Sequence, residues 1–234
     1  MEFKMIKVIF IDIDDTLLDF RKGAEQAIKM NCAEYGVPYS ERLLSVFFES
    51  NAELWSEIEK GTLTKPELYK KRWPLIFSRL GIEYARSDLF EESYRANFAS
   101  IAIPVDGAAE MLSELSKEYR LFVASNSSYD MQISRLSSVG MLQYFDGVFV
   151  SEKIGYFKPS VEFFEQCLRN VGDCEKNEVL MLGDSLTADI SGGKAFGIKT
   201  CYFDRQYANS AKYDVIPDVT VTDLREVKKV IQNM

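Results

Sequence analysis

The chain has 234 residues, a hydrophobic fraction of 47% and a net charge of −8, which is typical of one large globular domain or two small ones. The negative charge and the lack of a basic cluster argue against a nucleic-acid polymer or an anionic membrane as a partner. The sequence contains no histidine, which excludes Ser-His-Asp triads, Cys-His pairs and the usual zinc sites. Acid–base chemistry must therefore use other side chains, and carboxylates at a buried strand end are the leading candidates.

Two further features bear on where the protein works. The longest apolar run near the start is too short to span a membrane, and no signal-peptide pattern precedes it. The four cysteines form no Cys-x-x-Cys pair. We therefore expect a cytoplasmic protein with reduced cysteines.

The first predicted element is a fully buried strand, Val8–Ile11, which runs into Asp12, Asp14 and Thr16. In extended chain Asp12 and Asp14 project to the same side, where two like charges repel and raise each other's pKa. A cation between the two carboxylates would offset this repulsion, and carboxylate oxygens are ligands that suit Mg²⁺. Taken alone, the motif is also compatible with a polar turn or a helix cap.

The next 80 residues lack a convincing strand and show helical periodicity. Ser40 and Thr64 are plausible N-caps, and Glu67 lies in capping-box register with Thr64. Helices are predicted at about Gly23–Tyr35, Glu41–Lys60, Lys65–Leu80 and Asp88–Phe98. We therefore predict an all-helical cap, residues 20–102, inserted into a core formed by residues 1–19 and 103–234.

From Pro104 onward, short apolar strands alternate with helices. The predicted strands are Leu121–Ala124, Val148–Val150, Val179–Leu182, Thr200–Phe203 and Val219–Val221. The predicted helices are Ala108–Lys117, Asp130–Val139, Val161–Asn170 (opened by Pro159), Leu186–Phe196 and Leu224–Ile231. This alternation implies right-handed crossovers, a parallel sheet and an α/β fold.

Polar residues follow two of these later strands. Ser125 and Asn126 come after the first of them, where a hydroxyl and backbone N–H groups can bind a phosphoryl oxygen. Asp184 and Asp189 follow Val179–Leu182 as a compact pair of candidate metal ligands. The alternatives are a simple turn for the first pair and helix capping for the second.

Lys158 lies in the loop after the third strand. A single lysine is usually a solvated surface residue, but an anion site that contains several carboxylates needs a cation besides a metal. Two opposite charges ~4 Å apart attract by ~4 kcal/mol at an effective dielectric of ~20. Lys158 could supply that attraction for a nucleophile and a phosphate together.

Four motifs thus follow in order: Asp12-x-Asp14-x-Thr16, Ser125-Asn126, Lys158-Pro159, and Gly183-Asp184 with Asp189. This order resembles the haloacid dehalogenase superfamily, in particular its phosphatases with a helical cap. The resemblance implies a Rossmann-like core, a Mg²⁺ cofactor, Asp12 as the nucleophile and Asp14 as the general acid/base. It assigns the other core roles as follows: phosphate binding or screening by Thr16, Ser125 and Lys158, substrate binding by Asn126, and metal binding by Asp12, the Asp14 carbonyl and Asp184, with Asp189 supporting the metal site.

The cap is similar to that of the pyrimidine-nucleotide 5′-phosphatase branch of the superfamily. The similarity rests on the Leu18–Phe20 exit from the first motif and on the segments Asn51–Trp55, Gly61–Thr64 and Leu68 with Arg72. Trp55 and Phe20 could stack a nucleobase, or they could pack inside the cap. Ser127 departs from the branch, which usually has glycine there, and this bears on the contacts between phosphate and nucleoside.

We therefore expect a Mg²⁺-dependent phosphatase of small phosphorylated metabolites, most of all nucleoside 5′-monophosphates, that acts as a monomer or weak homodimer. The alternatives are a phosphatase of another metabolite, such as phosphoglycolate or a sugar phosphate, a 2-haloacid dehalogenase, or a non-enzymatic binding protein on the same fold. Dehalogenases of the superfamily lack the second aspartate, so Asp14 argues against that alternative.

Overall fold

A computed structural model describes residues 5–205 and 214–234, in which six parallel strands form one sheet. The strands are β1 (Val8–Ile11), β2 (Arg120–Ser125), β3 (Gly147–Val150), β4 (Val179–Gly183), β5 (Lys199–Phe203) and β6 (Val219–Val221). Their order across the sheet is β3-β2-β1-β4-β5-β6. The predicted α/β fold with a Rossmann-like parallel sheet is therefore confirmed.

Both faces of the sheet are buried, as the unbroken apolar runs predict. In β1, Ile9 and Ile11 belong to one apolar cluster, and Val8 and Phe10 belong to another on the opposite face. The helices that follow the strands are α5 (Ala108–Leu115), α6 (Tyr129–Ser138), α7 (Ser151–Ile154), α8 (Val161–Val171), α9 (Ser191–Phe196) and α10 (Val227–Ile231). Residues of α5, α6 and α10 join the first cluster, and residues of α8 and α9 join the second.

The strand order places a topological switch point beside β1. From β1 the chain continues to β2 and β3 on one side, and it then returns to build β4, β5 and β6 on the other side. In open α/β sheets, ligands bind outside the carboxyl ends of the strands at such a point. The fold therefore predicts a ligand site at the residues that follow β1 and β4.

The chain divides into two compact units, one with the residues up to Asp19 and from Ala102 onward, the other Phe20–Ile101. The predicted cap, residues 20–102, ends one residue later than the second unit. Within the first unit, the segments that lead into and out of Phe20–Ile101 lie side by side. Val105 N donates to Leu17 O at 2.9 Å, and Asp19 N donates to Ile103 O at 2.8 Å.

The second unit consists of four helices, with α1 packed on α4, α2 on α3 and α3 on α4. They are α1 (Phe20–Tyr35), α2 (Glu41–Glu59), α3 (Lys65–Leu80) and α4 (Ser87–Ser100). Two predicted N-terminal signals are confirmed. Ser40 Oγ accepts from Leu43 N at 3.1 Å, and Thr64 N donates to the Glu67 carboxylate at 2.9 Å.

Trp73 lies at the centre of this helical unit and is fully buried. Its ring centroid is 4.4 Å from that of Phe90 and 5.6 Å from that of Phe47. Beside it, the buried Arg72 guanidinium donates to both carboxylate oxygens of Glu91, at 3.0 and 2.5 Å. This pairing satisfies a charge that would otherwise be costly to bury, so removal of either partner would destabilise the helical unit.

Two predicted core helices begin where expected, but the predicted type of the first turn of one and the predicted N-terminal residue of the other are wrong. The predicted helix Leu186–Phe196 is a wide π turn, Leu186–Ile190, followed by α9, because Asp189 N and Ile190 N both donate to Ser185 O. Pro159 lies before α8 and does not open it. The N-cap is Ser160, whose Oγ accepts from Phe163 N at 3.3 Å.

Among residues 5–205 and 214–234, no helix combines the length and the apolar character needed to cross a bilayer.

Candidate active site

The predicted site residues of the core gather at the carboxyl ends of β1, β2 and β4. Asp12 directly follows β1, and its N–H donates to Leu182 O at 2.9 Å, so it continues the ladder between β1 and β4. Asp184 directly follows β4, and Ser125 is the last residue of β2. Parallel pairing of three adjacent strands therefore brings together residues that lie up to 172 positions apart (184 − 12).

Lys158 lies at the centre of this group and is only 2% exposed. Its Nζ donates to Asp12 Oδ1 at 2.7 Å, to Asp189 Oδ1 at 2.6 Å and to Ala124 O at 2.6 Å. These three acceptors match the three donors of an ammonium group. Burial alone would lower the pKa of Lys158, but the carboxylates of Asp12 and Asp189 outweigh burial and raise it. Lys158 is therefore a charged, fixed cation beside Asp12.

Asn126 fixes the backbone that carries this lysine. Its Nδ2 donates to Lys158 O at 2.9 Å, and its Oδ1 accepts from Lys158 N at 2.8 Å. The loop after β2 is therefore tied to the loop before α8 by a two-point amide contact. These contacts support a role for Asn126 in positioning Lys158, and its predicted contact with substrate stays a prediction.

Asp12, Asp184 and Asp189 can each direct a carboxylate oxygen to one place, since these oxygens lie within 4.8 Å of one another. Three carboxylates and one Lys158 ammonium leave two negative charges (−3 + 1 = −2), which a divalent cation would balance. Hard oxygen donors of this kind are the ligands that Mg²⁺ prefers. The donor set therefore fits the predicted cofactor, with Asp189 also engaged by Lys158 and by Ser185 N at 3.1 Å.

Burial and mutual repulsion make these carboxylates costly to ionise when no cation lies between them. Burial, together with the charges of Asp189 and Asp14, raises the pKa of Asp12 to about 7 against the opposing effect of Lys158. Burial also raises the pKa of Asp184 well above its ordinary value, and the charges of Asp12 and Asp189 add to this effect. The folded state thus disfavours the ionised forms of Asp12 and Asp184. A bound cation would offset this effect and stabilise the folded protein.

Gly183 makes room for Asp189. A Cβ placed on Gly183 would collide with the carboxyl group of Asp189 and would come within 2.8 Å of its Cβ. The π turn after Ser185 brings Asp189 back over the end of β4, into the space that a side chain at position 183 would fill. The glycine of the fourth motif is therefore a steric requirement of the carboxylate cluster.

Thr16 joins the first motif to the fourth. Thr16 is fully buried, and its Oγ1 donates to Asp184 Oδ1 at 3.1 Å. Thr16 Oγ1 also accepts a hydrogen bond from Asp184 N at 3.1 Å. These contacts orient the Asp184 carboxylate. The predicted binding of phosphate by the Thr16 hydroxyl stays a prediction.

The loop between Asp12 and the helical unit is held by an arginine from the end of β5. Arg205 Nη1 donates to Asp15 Oδ1 and Arg205 Nη2 to Asp19 Oδ2, both at 2.9 Å. Asp15 has φ 60°, in the left-handed region that non-glycine residues rarely occupy. The ion pair helps to hold this turn, and so it supports the placement of Asp14 and Thr16 on either side of it.

Asp14 is held by two residues that sequence reasoning missed. Arg135 Nη1 donates to Asp14 Oδ1 at 2.6 Å, and Gln132 Nε2 donates to Asp14 Oδ2 at 2.8 Å. Gln132 Nε2 also contacts Ser125 Oγ at 3.2 Å, and Ser125 Oγ accepts from Ser127 N at 3.2 Å. The signal available in the sequence is a pair of polar residues three apart on α6, on the helical face that also carries the buried Leu136.

The two predicted substrate contacts of the cap have their described partners within the helical unit. The ring of Phe20 lies edge-on to Phe98 at 5.5 Å and to Phe48 at 6.2 Å. Trp55 is half-buried on α2, with Lys65 Nζ 6.0 Å from its ring centroid. Contact of either ring with a substrate stays a prediction.

We expect Asp184→Asn to stabilise the metal-free protein at neutral pH and to abolish its stabilisation by Mg²⁺. The folded pKa of Asp184 is raised above its ordinary value of 3.8. The folded state therefore gains from proton binding at low pH, and this stability is lost as the pH rises through the folded pKa. A neutral amide has no such loss. A metal at a hundredfold its Kd would add about 2.7 kcal/mol to a protein that binds it only when folded.

The measurement is the Tm between about pH 4 and pH 8, with EDTA and with Mg²⁺, where linkage predicts the change. The wild-type Tm in EDTA should fall more steeply with pH than that of the variant. Asp173→Asn, an exposed substitution of the same type, should behave as wild type. An undiminished Mg²⁺ shift in Asp184→Asn would show that the cation binds elsewhere.

Comparison with known proteins agrees with the motif order and the fold. Pyrimidine 5′-nucleotidase PynA of Streptococcus pneumoniae is 33% identical over 85% of this chain and 84% of its own length. Pyrimidine 5′-nucleotidase YjjG of Escherichia coli is 26% identical over 95% of this chain and 96% of its own. Further relatives include a glyceraldehyde 3-phosphate phosphatase of Methanothermobacter thermautotrophicus.

The solved structures agree with the sequence relatives. The magnesium-bound crystal structure of the HAD-hydrolase YfnB from Bacillus subtilis superposes with a TM-score of 0.91, at 28% identity, over 97% of this chain and 99% of that one. The family described as haloacid dehalogenase-like hydrolase matches residues 6–197, which include all four motifs. The chain therefore belongs to the haloacid dehalogenase-like hydrolases.

Proposed function

We propose that this hydrolase is a Mg²⁺-dependent phosphomonoesterase that works through an aspartyl-phosphate on Asp12 and acts on nucleoside 5′-monophosphates. The observation that carries the proposal is the pairing of Asp12 with the buried Lys158, next to a second acid, Asp14, that has its own donors. One carboxylate is thus equipped as a nucleophile and the other as a proton carrier. The two roles need different environments, and the two residues have them.

In the first step Asp12 attacks phosphorus, an Asp12–phosphorus bond forms and the bond to the leaving oxygen breaks. Lys158 neutralises charge on the nucleophile and the phosphoryl group, while Asp14 gives the leaving oxygen its proton. In the second step Asp14 takes a proton from water as the water attacks phosphorus, which releases inorganic phosphate and restores Asp12. Mg²⁺ held by Asp12, Asp184 and the Asp14 carbonyl, with Asp189 behind them, would screen the repulsion between carboxylate and phosphate.

Asp14 supports this reaction over the removal of a halide. A halide leaves as an anion and needs no proton, whereas an alkoxide leaving group needs one from a general acid. In a dehalogenase, a second carboxylate with two dedicated donors would have no leaving group to protonate. The nucleotide part of the proposal is supported by the names of the relatives PynA and YjjG and by the cap segments around Trp55.

The test is a phosphate-release screen of purified protein with Mg²⁺ and with EDTA. The panel contains pyrimidine and purine nucleoside monophosphates, sugar phosphates, phosphoglycolate and glyceraldehyde 3-phosphate, with Asp12→Asn protein as a control for contaminating phosphatases. We expect Mg²⁺-dependent turnover with the highest kcat/KM on a nucleotide. A higher value on a sugar phosphate would contradict the nucleotide assignment, and metal-independent halide release from 2-haloacids would overturn the reaction class.

We expect Trp55→Ala to raise KM for nucleotides while hydrolysis of a small aryl phosphate stays within a few-fold of wild type. A stacked aromatic is worth roughly 1–3 kcal/mol per base, which is about 5- to 150-fold in affinity. Trp55→Phe keeps a stacking face and should retain most of the nucleotide affinity. The measurement is kcat/KM on both substrates, with circular dichroism to check folding. An equal loss on both substrates would show that Trp55 only packs the cap.

A further inference from the structure

Two side chains of α6 donate hydrogen bonds to the two oxygens of the Asp14 carboxylate. Arg135 Nη1 contacts Oδ1 at 2.6 Å, and Gln132 Nε2 contacts Oδ2 at 2.8 Å. Arg135 Nη1 also donates to Gln132 Oε1 at 3.2 Å, so the two donors are fixed to each other. Two donors on different oxygens set the rotation of the carboxylate about its Cβ–Cγ bond, which a single contact would leave free.

The burial of the three residues is unequal. The side chain of Arg135 has no exposed surface and Gln132 is fully buried, whereas the Asp14 side chain is 29% exposed. A carboxylate with that exposure is hydrated by solvent and needs no buried arginine to be tolerated. The desolvation penalty falls on the Arg135 guanidinium, because burying an unpaired charge is unfavourable. Stability alone therefore does not explain why α6 places these donors against Asp14.

We propose that Gln132 and Arg135 are positioning residues that hold the Asp14 carboxylate in the orientation from which it passes a proton to the leaving oxygen. This inference rests on the proposed phosphatase function. Proton transfer requires the carboxylate within hydrogen-bond reach of the leaving oxygen, so orientation of the acid enters the rate directly. Gln132 also contacts Ser125 Oγ at 3.2 Å, which links the orientation of the acid to the predicted phosphate-binding hydroxyl.

A positioning role has a kinetic signature that a purely structural role lacks. Dinitrophenolate is a stable anion that leaves without a proton, whereas phenolate leaves slowly unless an acid protonates it. kcat/KM reports the steps up to the first release of product, so it is insensitive to the later hydrolysis of the aspartyl-phosphate. Displacing Asp14 should therefore lower kcat/KM for phenyl phosphate much more than for dinitrophenyl phosphate.

The experiment compares wild type, Gln132→Met, Arg135→Ala and Arg135→Lys on these two esters with Mg²⁺. Gln132→Met nearly conserves volume and removes only the amide, so it is informative even if Arg135→Ala folds poorly. We expect Gln132→Met and Arg135→Ala each to lower the ratio of the phenyl to the dinitrophenyl kcat/KM at least tenfold, and Arg135→Lys to recover part of it. Ser134→Ala, at an exposed position of the same helix, should leave the ratio unchanged.

A double-mutant cycle with Asp14→Asn completes the test. Once Asp14 can no longer carry the proton, Gln132→Met should cause no further change in the ratio, because contacting residues with one shared effect are not additive. Equal losses on both esters, or a further selective loss in the Asp14→Asn background, would overturn the positioning role while leaving the proposed function intact. Wild-type protein that hydrolyses neither ester with Mg²⁺ would overturn the proposed function and this inference with it.

Discussion

Asp12→Asn is expected to abolish turnover without unfolding the protein. An amide cannot attack phosphorus, so no aspartyl-phosphate forms. The fold should survive because the amide oxygen can still accept the hydrogen bond from Lys158, which keeps its contacts with Asp189 and Ala124 O. The substitution also removes a carboxylate whose pKa is raised to about 7, chiefly by burial, so the metal-free protein at neutral pH should be at least as stable as wild type.

The measurements are kcat on the best substrate of the panel and the Tm by circular dichroism. Asp173→Asn is the control, since it makes the same substitution at an exposed residue. We expect Asp173→Asn to stay within about tenfold of wild type, a barrier change of ~1.4 kcal/mol. Activity of Asp12→Asn above about a tenth of wild type would rule out Asp12 as the covalent nucleophile.

The core of this site could be predicted from the sequence because its residues directly follow recognisable strands. An apolar run such as Val8–Ile11 predicts a buried parallel strand, and the residues after the strands of a parallel sheet lie at one edge of that sheet. That reasoning led to Asp12, Asp184 and Ser125 without any knowledge of which strands pair. The gathering of these three residues at one edge needed only that β1, β2 and β4 be neighbours, which they are.

Gln132 and Arg135 could not be found in this way because they lie inside a helix. Helical periodicity places them on one face, but a polar residue on a buried face is compatible with many partners. The partner is Asp14, which lies more than a hundred residues earlier in the chain. The contact forms because β2 pairs with β1, so that α6, which follows β2, lies near the end of β1. A prediction of this contact would need the register of that strand pair and the path of the loop after it.

Local backbone geometry produces two further features of the site that the sequence did not predict. The turn at Asp15, with φ 60°, turns the chain so that Thr16 is buried against Asp184. The π turn at Leu186–Ile190, at the start of the predicted helix, carries the Asp189 carboxylate back against Gly183. Neither feature follows from hydrophobic periodicity, because each depends on hydrogen bonds between specific polar groups at the end of a strand.

The second large effect is expected for Lys158→Met, which removes the buried cation and retains the apolar side-chain stem. Asp12 and Asp189 would then face each other without a positive charge between them. Breaking a buried pair by removal of one partner costs about 3–5 kcal/mol of stability. The loss should be greatest at neutral pH and should diminish as the pH falls and the carboxylates take up protons. The loss of one preorganised donor to developing charge lowers kcat by about 10²–10³.

A second variant separates the two effects. In Lys158→Met/Asp189→Asn one carboxylate is removed together with the cation, so most of the stability should return while kcat stays low. Lys153→Met, an exposed lysine substitution in the preceding helix, should change neither quantity. The measurements are urea denaturation at two pH values and kcat with saturating Mg²⁺. If the double variant regained activity together with stability, Lys158 would act only by holding the fold, and its proposed role in neutralising the phosphoryl charge would be wrong.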